Sequence, residues 1–130
     1  MPVITIANTK GGAGKTTAAV LIATELAQMG LNVTVFDSDP QHWFSQWFET
    51  AKPRGTISLV NHVTASALEG HMRGMDRTND YHIIDLAGER NQLTATALAF
   101  SNLVLIPVQG AGMDAKGAAK ILDILARIKS

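Results

Sequence analysis

The sequence contains no cysteine, no excess of charge of either sign and no long apolar run. The absence of cysteine excludes disulfides, thiolate zinc sites and iron–sulfur clusters, and it suits a reducing, cytoplasmic setting. Lys plus Arg and Asp plus Glu number 11 each, so the summed charge offers no general attraction to nucleic acid or to an anionic membrane. No apolar run approaches the roughly 20 residues of a membrane span, and the short apolar start is not expected to be a signal peptide.

Chain length and histidine spacing further limit the number of domains and the kinds of metal site. With 130 residues, the sequence is expected to form a single domain spanning residues 1–130. The four histidines show no metal-ligand spacing and are each interpreted as solvated or helix-capping: His42, His62, His71 and His82.

A glycine-rich segment near the start carries the strongest functional signal. Residues 9–16 read Thr-Lys-Gly-Gly-Ala-Gly-Lys-Thr, which is a phosphate-binding P-loop with an additional lysine, Lys10. In such loops backbone N–H groups surround the phosphates, the final lysine reaches the outer phosphates and the hydroxyl that follows it binds Mg²⁺. A buried strand before the segment and a helix beginning at Lys15 or Thr16 complete the expected context, because the helix dipole favours the same anion.

The remaining chain alternates strand and helix patterns. Strands are predicted over 31–36, 56–62, 81–85 and 103–108, and helices from Pro40 across His42 to Thr50, over 65–73, over 92–100 and over 115–129. This alternation predicts an α/β fold with a mostly parallel, twisted sheet and helices on both faces. Ligands of such sheets bind at the carboxyl ends of strands, where Asn8, Asp37 and Asp85 are expected.

Two acidic segments stand where a bound nucleotide would need carboxylates. Asp85 ends an apolar run in the Walker B manner, which predicts a role near Mg²⁺. Asp37 and Asp39 follow another predicted strand and suit a place near the attacking water, although an Asx turn before a helix remains open for this pair.

These segments resemble the ParA/MinD family of deviant Walker A P-loop ATPases, and within it the small ParA-type partition proteins. The resemblance is carried by the loop at 10–17, by Asp-Ser-Asp-Pro-Gln at 37–41, by Ile-Ile-Asp at 83–85 and by Leu-Ile-Pro-Val at 105–108. It covers essentially the whole chain, which is expected to be the N-terminal part of a ParA-like P-loop NTPase fold, truncated on its C-terminal side.

The resemblance implies a nucleotide site with assigned residues. Cofactors would be ATP or ADP with Mg²⁺, and Thr17 would support the α phosphate while Lys15 contacts the β and γ phosphates. The nucleotide-binding set it implies is Lys10, Gly11, Gly12, Ala13, Gly14, Lys15, Thr16 and Thr17. The metal set is Thr16, Asp37 and Asp85, and the catalytic set is Lys10, Lys15 and Asp39, with Asp39 positioning the attacking water.

The same resemblance implies a switch that dimerises on Mg·ATP and hydrolyses it slowly, in partitioning of plasmid or chromosomal DNA. Lys10 would reach the partner's nucleotide in an ATP-sandwich homodimer, as an arginine finger does. Expected partners are a centromere-binding-type adaptor protein and nonspecific DNA, although no basic surface is evident. Three alternatives stay open: a metabolic P-loop enzyme of the amidoligase type, a MinD-like positioning ATPase at a membrane, and a nucleotide-binding fragment without turnover.

Overall fold

The computed structural model describes residues 2–7, 13–53, 55–74, 81–86 and 91–106, together with 123 and 127. Strands and helices alternate along these residues in the order β1 Val3–Ile6, α1 Ala13–Gln28, β2 Val33–Asp37, α2 Trp43–Ala51, β3 Ile57–Val60, α3 Ala65–Arg73, β4 Tyr81–Asp85, α4 Gln92–Phe100 and β5 Leu103–Leu105.

The strands form one parallel sheet. Five strands lie in the order β3-β2-β4-β1-β5, and each neighbouring pair runs parallel. Strands β1, which precedes the glycine-rich segment, and β4, which ends at Asp85, lie side by side in the interior of the sheet. The predicted α/β fold with a parallel sheet is confirmed.

Successive strand residues face opposite sides of the sheet, so the core divides into two clusters. Ile4, Val35 and Ile83 face α1 and the buried Phe44 of α2. Their neighbours Phe36 and Ile84 face α3 and α4. Helices therefore cover both faces, as the near-continuous apolar strands predict.

Local signals explain the helix boundaries. The Thr64 hydroxyl accepts a hydrogen bond from Ala67 N at the start of α3, and Asn91 Oδ1 accepts one from Thr94 N at the start of α4. Such side-chain caps satisfy N–H groups of the first turn, which have no partner within the helix. Both helices span the ranges predicted from the sequence.

Helix α2 and one histidine differ from expectation. The helix begins at Trp43 instead of Pro40, because the Asp39 carbonyl accepts a hydrogen bond from His42 N at 3.0 Å and His42 adopts a left-handed conformation with φ 51°. His82 is neither solvated nor helix-capping: it is 3% exposed, and its ring lies near those of Phe36 and His71. Its place on the α3 side of β4 accounts for this burial.

The predicted strand 103–108 is observed as β5 over Leu103–Leu105, and residues 107 and 108 lie outside the described residues. The predicted helix 115–129 lies outside them as well, except for Asp123 and Arg127, whose side chains form an ion pair at 3.2 Å. In the described part of the chain, no helix is long and apolar enough to cross a membrane.

Candidate functional site

Three adjacent strands end together at the carboxyl edge of the sheet. Ile6 of β1 pairs with Asp85 of β4, and Asp85 pairs in turn with Asp37 of β2. Backbone hydrogen bonds continue past this register, from Leu86 N to the Ile6 carbonyl at 3.0 Å and from Ser38 N to the Asp85 carbonyl at 3.1 Å. The predicted convergence of the acidic segments with the end of β1 is thus present in the fold.

Helix α1 begins at the same edge. Asn8, Lys10, Gly11 and Gly12 lie outside the described residues, whereas Ala13, Gly14 and Lys15 form the first turn of α1. The helix therefore starts two residues before Lys15, the earlier of the predicted starts. Because only a short segment joins the end of β1 to this turn, the first-turn N–H groups of α1, which have no partner within the helix, lie at the carboxyl edge of the sheet.

The two threonines of the glycine-rich segment differ in their surroundings. Thr17 is exposed, whereas the Oγ1 atom of Thr16 is buried and has no hydrogen-bond partner within the part of the chain that the structure describes. A buried hydroxyl without a partner costs about 1–3 kcal/mol. Mg²⁺ prefers hard oxygen ligands of this kind, so the surroundings of Thr16 fit the predicted metal role.

Asp85 is the acid at the centre of the edge. Its side chain is 0% exposed, and it lies in register between Ile6 of β1 and Asp37 of β2. Over the described ranges, no group of three or more His, Cys, Asp and Glu side chains could hold a metal by itself. Mg²⁺ in nucleotide sites commonly takes only one or two protein ligands and completes its shell with phosphates and waters.

Asp37 is also fully buried, and its carboxylate faces α2. Oδ2 accepts hydrogen bonds from Ser45 N at 3.0 Å and from Ser45 Oγ at 2.6 Å, and Oδ1 accepts one from Asp39 N at 3.3 Å. His42 Nδ1 lies 3.5 Å from Oδ2. The structure thus places Asp37 at the predicted edge, in contacts with the start of α2.

Asp39 lies two residues beyond the strand end and is half-buried. Its Oδ1 atom accepts a hydrogen bond from Gln41 N at 2.8 Å, which is an Asx turn of the kind left open by the sequence. The turn fixes the direction of the chain between β2 and α2 and leaves the carboxylate near solvent.

Two serines were missed by sequence reasoning. Ser38 donates from both N and Oγ to the Asp85 carbonyl, at 3.1 and 2.7 Å, and so joins the end of β2 to the end of β4. Ser45 supplies both donors to Asp37 Oδ2. The position of Ser38 between two acids is a signal in the sequence, but it is common to many turns, and Ser45 lies eight residues from Asp37 and has no such signal.

Comparison with known proteins gives one family match and several relatives. The profile of the VirC1 protein family matches residues 1–128. Protein ParA of Rhizobium radiobacter is 35% identical over 126 residues, which are 97% of this chain and 57% of that protein. The chain therefore spans little more than half the length of this relative.

Solved structures with the same fold include a ParA protein and a synthase. The pNOB8 ParA protein bound to nonspecific DNA matches with a TM-score of 0.66 and 25% identity, over 93% of this chain and 58% of that one. Cobyrinic acid a,c-diamide synthase of Mycobacterium smegmatis, with a bound ATP analogue and magnesium, matches with a TM-score of 0.67 and 22% identity, over 99% of this chain and 66% of that one. At this identity the second likeness establishes the fold alone.

Proposed function

Because the chain belongs to the VirC1 protein family and is of the ParA/MinD type of P-loop ATPase, we propose that it is the nucleotide-binding part of a DNA-partitioning switch. In this proposal the protein binds Mg·ATP, dimerises around it and hydrolyses it slowly, so that the bound nucleotide controls assembly. The relatives that support the proposal are ParA proteins, one of them solved on nonspecific DNA.

One observation carries the proposal: the end of β1, Asp85 and Asp37 stand in one register at the carboxyl edge, beside the first turn of α1. A triphosphate needs N–H donors on one side and carboxylates that hold the metal and the attacking water on the other. The fold supplies both from adjacent elements.

The residues of the glycine-rich segment would bind the phosphates. We assign the phosphate contacts to the backbone N–H groups between Lys10 and Thr17 and to the Lys15 ammonium group, which would reach the β and γ phosphates. The first-turn N–H groups of α1 would add to this stabilisation through the helix dipole.

Thr16 and Asp85 are the residues that would hold Mg²⁺. The Thr16 Oγ1 atom, which has no hydrogen-bond partner among the described residues, would ligate Mg²⁺ directly, and the Asp85 carboxylate would accept hydrogen bonds from metal-bound water. When bound, Mg²⁺ would neutralise charge on the phosphate oxygens. The place of Asp37 near the Mg²⁺ shell remains a prediction, and its contacts to Ser45 provide a way to test it.

Hydrolysis would depend on Asp39 and Lys10. Asp39 would orient the attacking water, and Lys10 of one protomer would stabilise charge on the partner's nucleotide. A cation delivered across the dimer makes turnover depend on dimerisation, which is what a switch requires.

The partners are proposals of the same kind. DNA would be the cargo, a centromere-binding-type adaptor would stimulate hydrolysis, and the protein would act in the cytoplasm. The amidoligase-type alternative is supported by a likeness of fold only. The MinD-like alternative depends on a C-terminal amphipathic helix, and the corresponding residues lie outside those described, except for Asp123 and Arg127.

Nucleotide titration of Lys15→Ala tests the phosphate site. Loss of the Lys15 ammonium group should weaken binding of Mg·ATP by roughly 100-fold or more, because a desolvated charge contact to phosphate disappears. Arg73→Ala is the matched control, since it removes an exposed cation from α3. Unchanged affinity in Lys15→Ala would refute the phosphate site.

Sedimentation of Lys10→Ala with a nonhydrolysable ATP analogue tests the dimer. We expect nucleotide to bind with its usual affinity, and the ATP-dependent dimer to be lost because the contact in trans is missing. A dimer of undiminished strength would remove the proposed role of Lys10 and leave the phosphate site standing.

A further inference from the structure

The Asp37 carboxylate forms the N-terminal cap of α2, although it lies outside that helix. His42 occupies the N-cap position in a left-handed conformation, and its side chain makes no capping hydrogen bond. The N–H group of Ser45, the third residue of the helix, instead donates to Asp37 Oδ2 at 3.0 Å. A buried anion at this place satisfies a first-turn N–H group and favours the positive end of the helix dipole.

Ser45 strengthens this contact with a second donor. Its Oγ atom lies 2.6 Å from the same oxygen, and the Ser45 side chain is buried together with Asp37. Hydrogen bonds to a charged acceptor are stronger than neutral ones and gain further where water is excluded. The pair therefore fixes the start of α2 to the end of β2.

The same carboxylate also holds the segment that carries Asp39. Asp37 Oδ1 accepts a hydrogen bond from Asp39 N at 3.3 Å, and the Asp39 carbonyl accepts one from His42 N at 3.0 Å. Asp37 therefore holds both ends of the segment between β2 and α2. Its Oδ1 atom binds Asp39 N near the strand, and its Oδ2 atom binds Ser45 in the helix. Release of the carboxylate from Ser45 would leave the position of Asp39 less defined.

We propose that Asp37 and Ser45 are positioning residues, which hold Asp39 in place for hydrolysis by fastening α2 to the edge of the sheet. The inference rests on the proposed ATPase function, and it assigns to Asp37 an action through Asp39 instead of a contact with the metal shell. Both donors of Ser45 converge on Oδ2, so that oxygen is already engaged within the protein.

The test compares Ser45→Ala with Ser45→Thr in the full protein. Loss of the Oγ donor should lower kcat for ATP roughly 10-fold, because Asp39 is then held less accurately for the attacking water. KM for ATP should stay unchanged, because the phosphate site is intact. Ser45→Thr keeps the hydroxyl and should restore kcat, and Ser66→Ala, which alters an exposed serine of α3, is the control.

Asp37→Asn separates positioning from metal binding and remains informative if Ser45→Ala fails to fold. The amide oxygen can still accept from Ser45 N, but a neutral amide is a weaker acceptor than a carboxylate, so the variant should also lose kcat. Where Ser45→Ala folds, combining the two changes should add little further loss, because both weaken the same contact. The Mg²⁺ concentration needed for binding of a fluorescent, nonhydrolysable ATP analogue should not change. A higher Mg²⁺ requirement in Asp37→Asn alone would place Asp37 in the metal shell and overturn the inference.

Tryptophan fluorescence reports on the start of α2 directly and does not depend on ATP hydrolysis. The chain has two tryptophans, of which Trp43 begins α2 and is 51% exposed. In a Trp47→Phe background, Trp43 emission in Ser45→Ala should shift to the red and be quenched more readily by acrylamide, because the helix start is no longer fastened. Unchanged Trp43 emission together with normal kcat in Ser45→Ala would refute the inference alone, whereas absence of ATP hydrolysis in the unsubstituted protein would refute the proposed function and the inference with it.

Discussion

The amino and carboxyl ends of the sheet bury different kinds of side chain. At the amino end the buried residues Val3, Val33 and Tyr81 are uncharged. At the carboxyl end the last residues of β2 and β4 are Asp37 and Asp85, both 0% exposed. Burial of a carboxylate is costly unless bonds to other groups offset it.

Backbone pairing is similar at the two ends, so it does not explain this difference. Tyr81 N donates to the Asn32 carbonyl at 2.9 Å at the amino end, and Leu86 N donates to the Ile6 carbonyl at 3.0 Å at the carboxyl end. The sheet would be complete at both ends without acids. Backbone pairing of the sheet therefore does not account for the acids at one end. Substitutions at the carboxyl edge should mainly lower ATP hydrolysis, whereas substitutions in the apolar core should mainly lower stability.

The largest expected effect is on hydrolysis, at the carboxyl end. Asp39→Ala should lower kcat for ATP by roughly 10²- to 10⁴-fold, because a group that orients the attacking water is removed. The free energy of unfolding should change little, since the residue is half-buried and lies in a turn. Steady-state hydrolysis and chemical denaturation measure the two quantities.

Glu49→Ala, which removes an exposed carboxylate from α2, is the control for Asp39→Ala and should alter neither quantity. We also expect the Mg·ATP dimer of Asp39→Ala to accumulate, because hydrolysis no longer releases it. Phosphate release at the unsubstituted rate would deprive Asp39 of its proposed role and weaken the contrast between the two ends.

The next effect is on stability, in the middle of the sheet. Ile83→Ala should lower the free energy of unfolding by about 2–5 kcal/mol, because it opens a cavity at a fully buried residue that pairs with Ile4 and Val35. The folded fraction should retain its KM for ATP. Ile106→Ala, at a residue that is 58% exposed, is the control and should cost far less.

Equal losses of stability in Ile83→Ala and Ile106→Ala would contradict the described core. A changed KM in folded Ile83→Ala would contradict the separation of core from site. Chemical denaturation and ATP titration of the same preparations decide between these outcomes.

The sequence predicts individual elements better than the relations between them. Helices α3 and α4 were predicted within their observed bounds, because apolar spacing marks them and a residue suited to N-capping precedes each one. The convergence of Asp37 and Asp85 was also predicted, because parallel strands bring their carboxyl ends to one edge. In contrast, the strand order was not predicted, since local patterns do not encode which strands pair.

The contact between Asp37 and Ser45 shows the same limit at the level of side chains. It depends on the left-handed conformation of His42, which delays the start of α2 and brings Ser45 N to the carboxylate. Non-glycine residues adopt this conformation uncommonly, and nothing in the neighbouring sequence marks His42 for it. No pattern in the sequence therefore distinguishes Asp37 as a helix cap from Asp37 as a residue of the metal shell.

The smallest expected effect is at the amino end, on the pH dependence of stability. Tyr81 begins β4 and is 5% exposed, and burial raises the pKa of its phenol above the usual value of about 10. The unfolded chain therefore loses the phenol proton at a lower pH than the folded chain does. Its contribution to stability is complete below about pH 10 and is lost as the pH rises from there through the folded-state pKa.

Tyr81→Phe removes this ionisation and keeps the ring in the core, so its free energy of unfolding should fall less steeply above about pH 10 than that of the unsubstituted protein. Denaturation curves at matched pH values measure the two slopes. The contributions of the lysines and arginines, which both proteins share, cancel in the difference between the slopes. Parallel slopes would mean that the phenol ionises alike in both states. The amino end would then contain a partly hydrated group, and the contrast with the buried acids at the carboxyl end would rest on Val3 and Val33 alone.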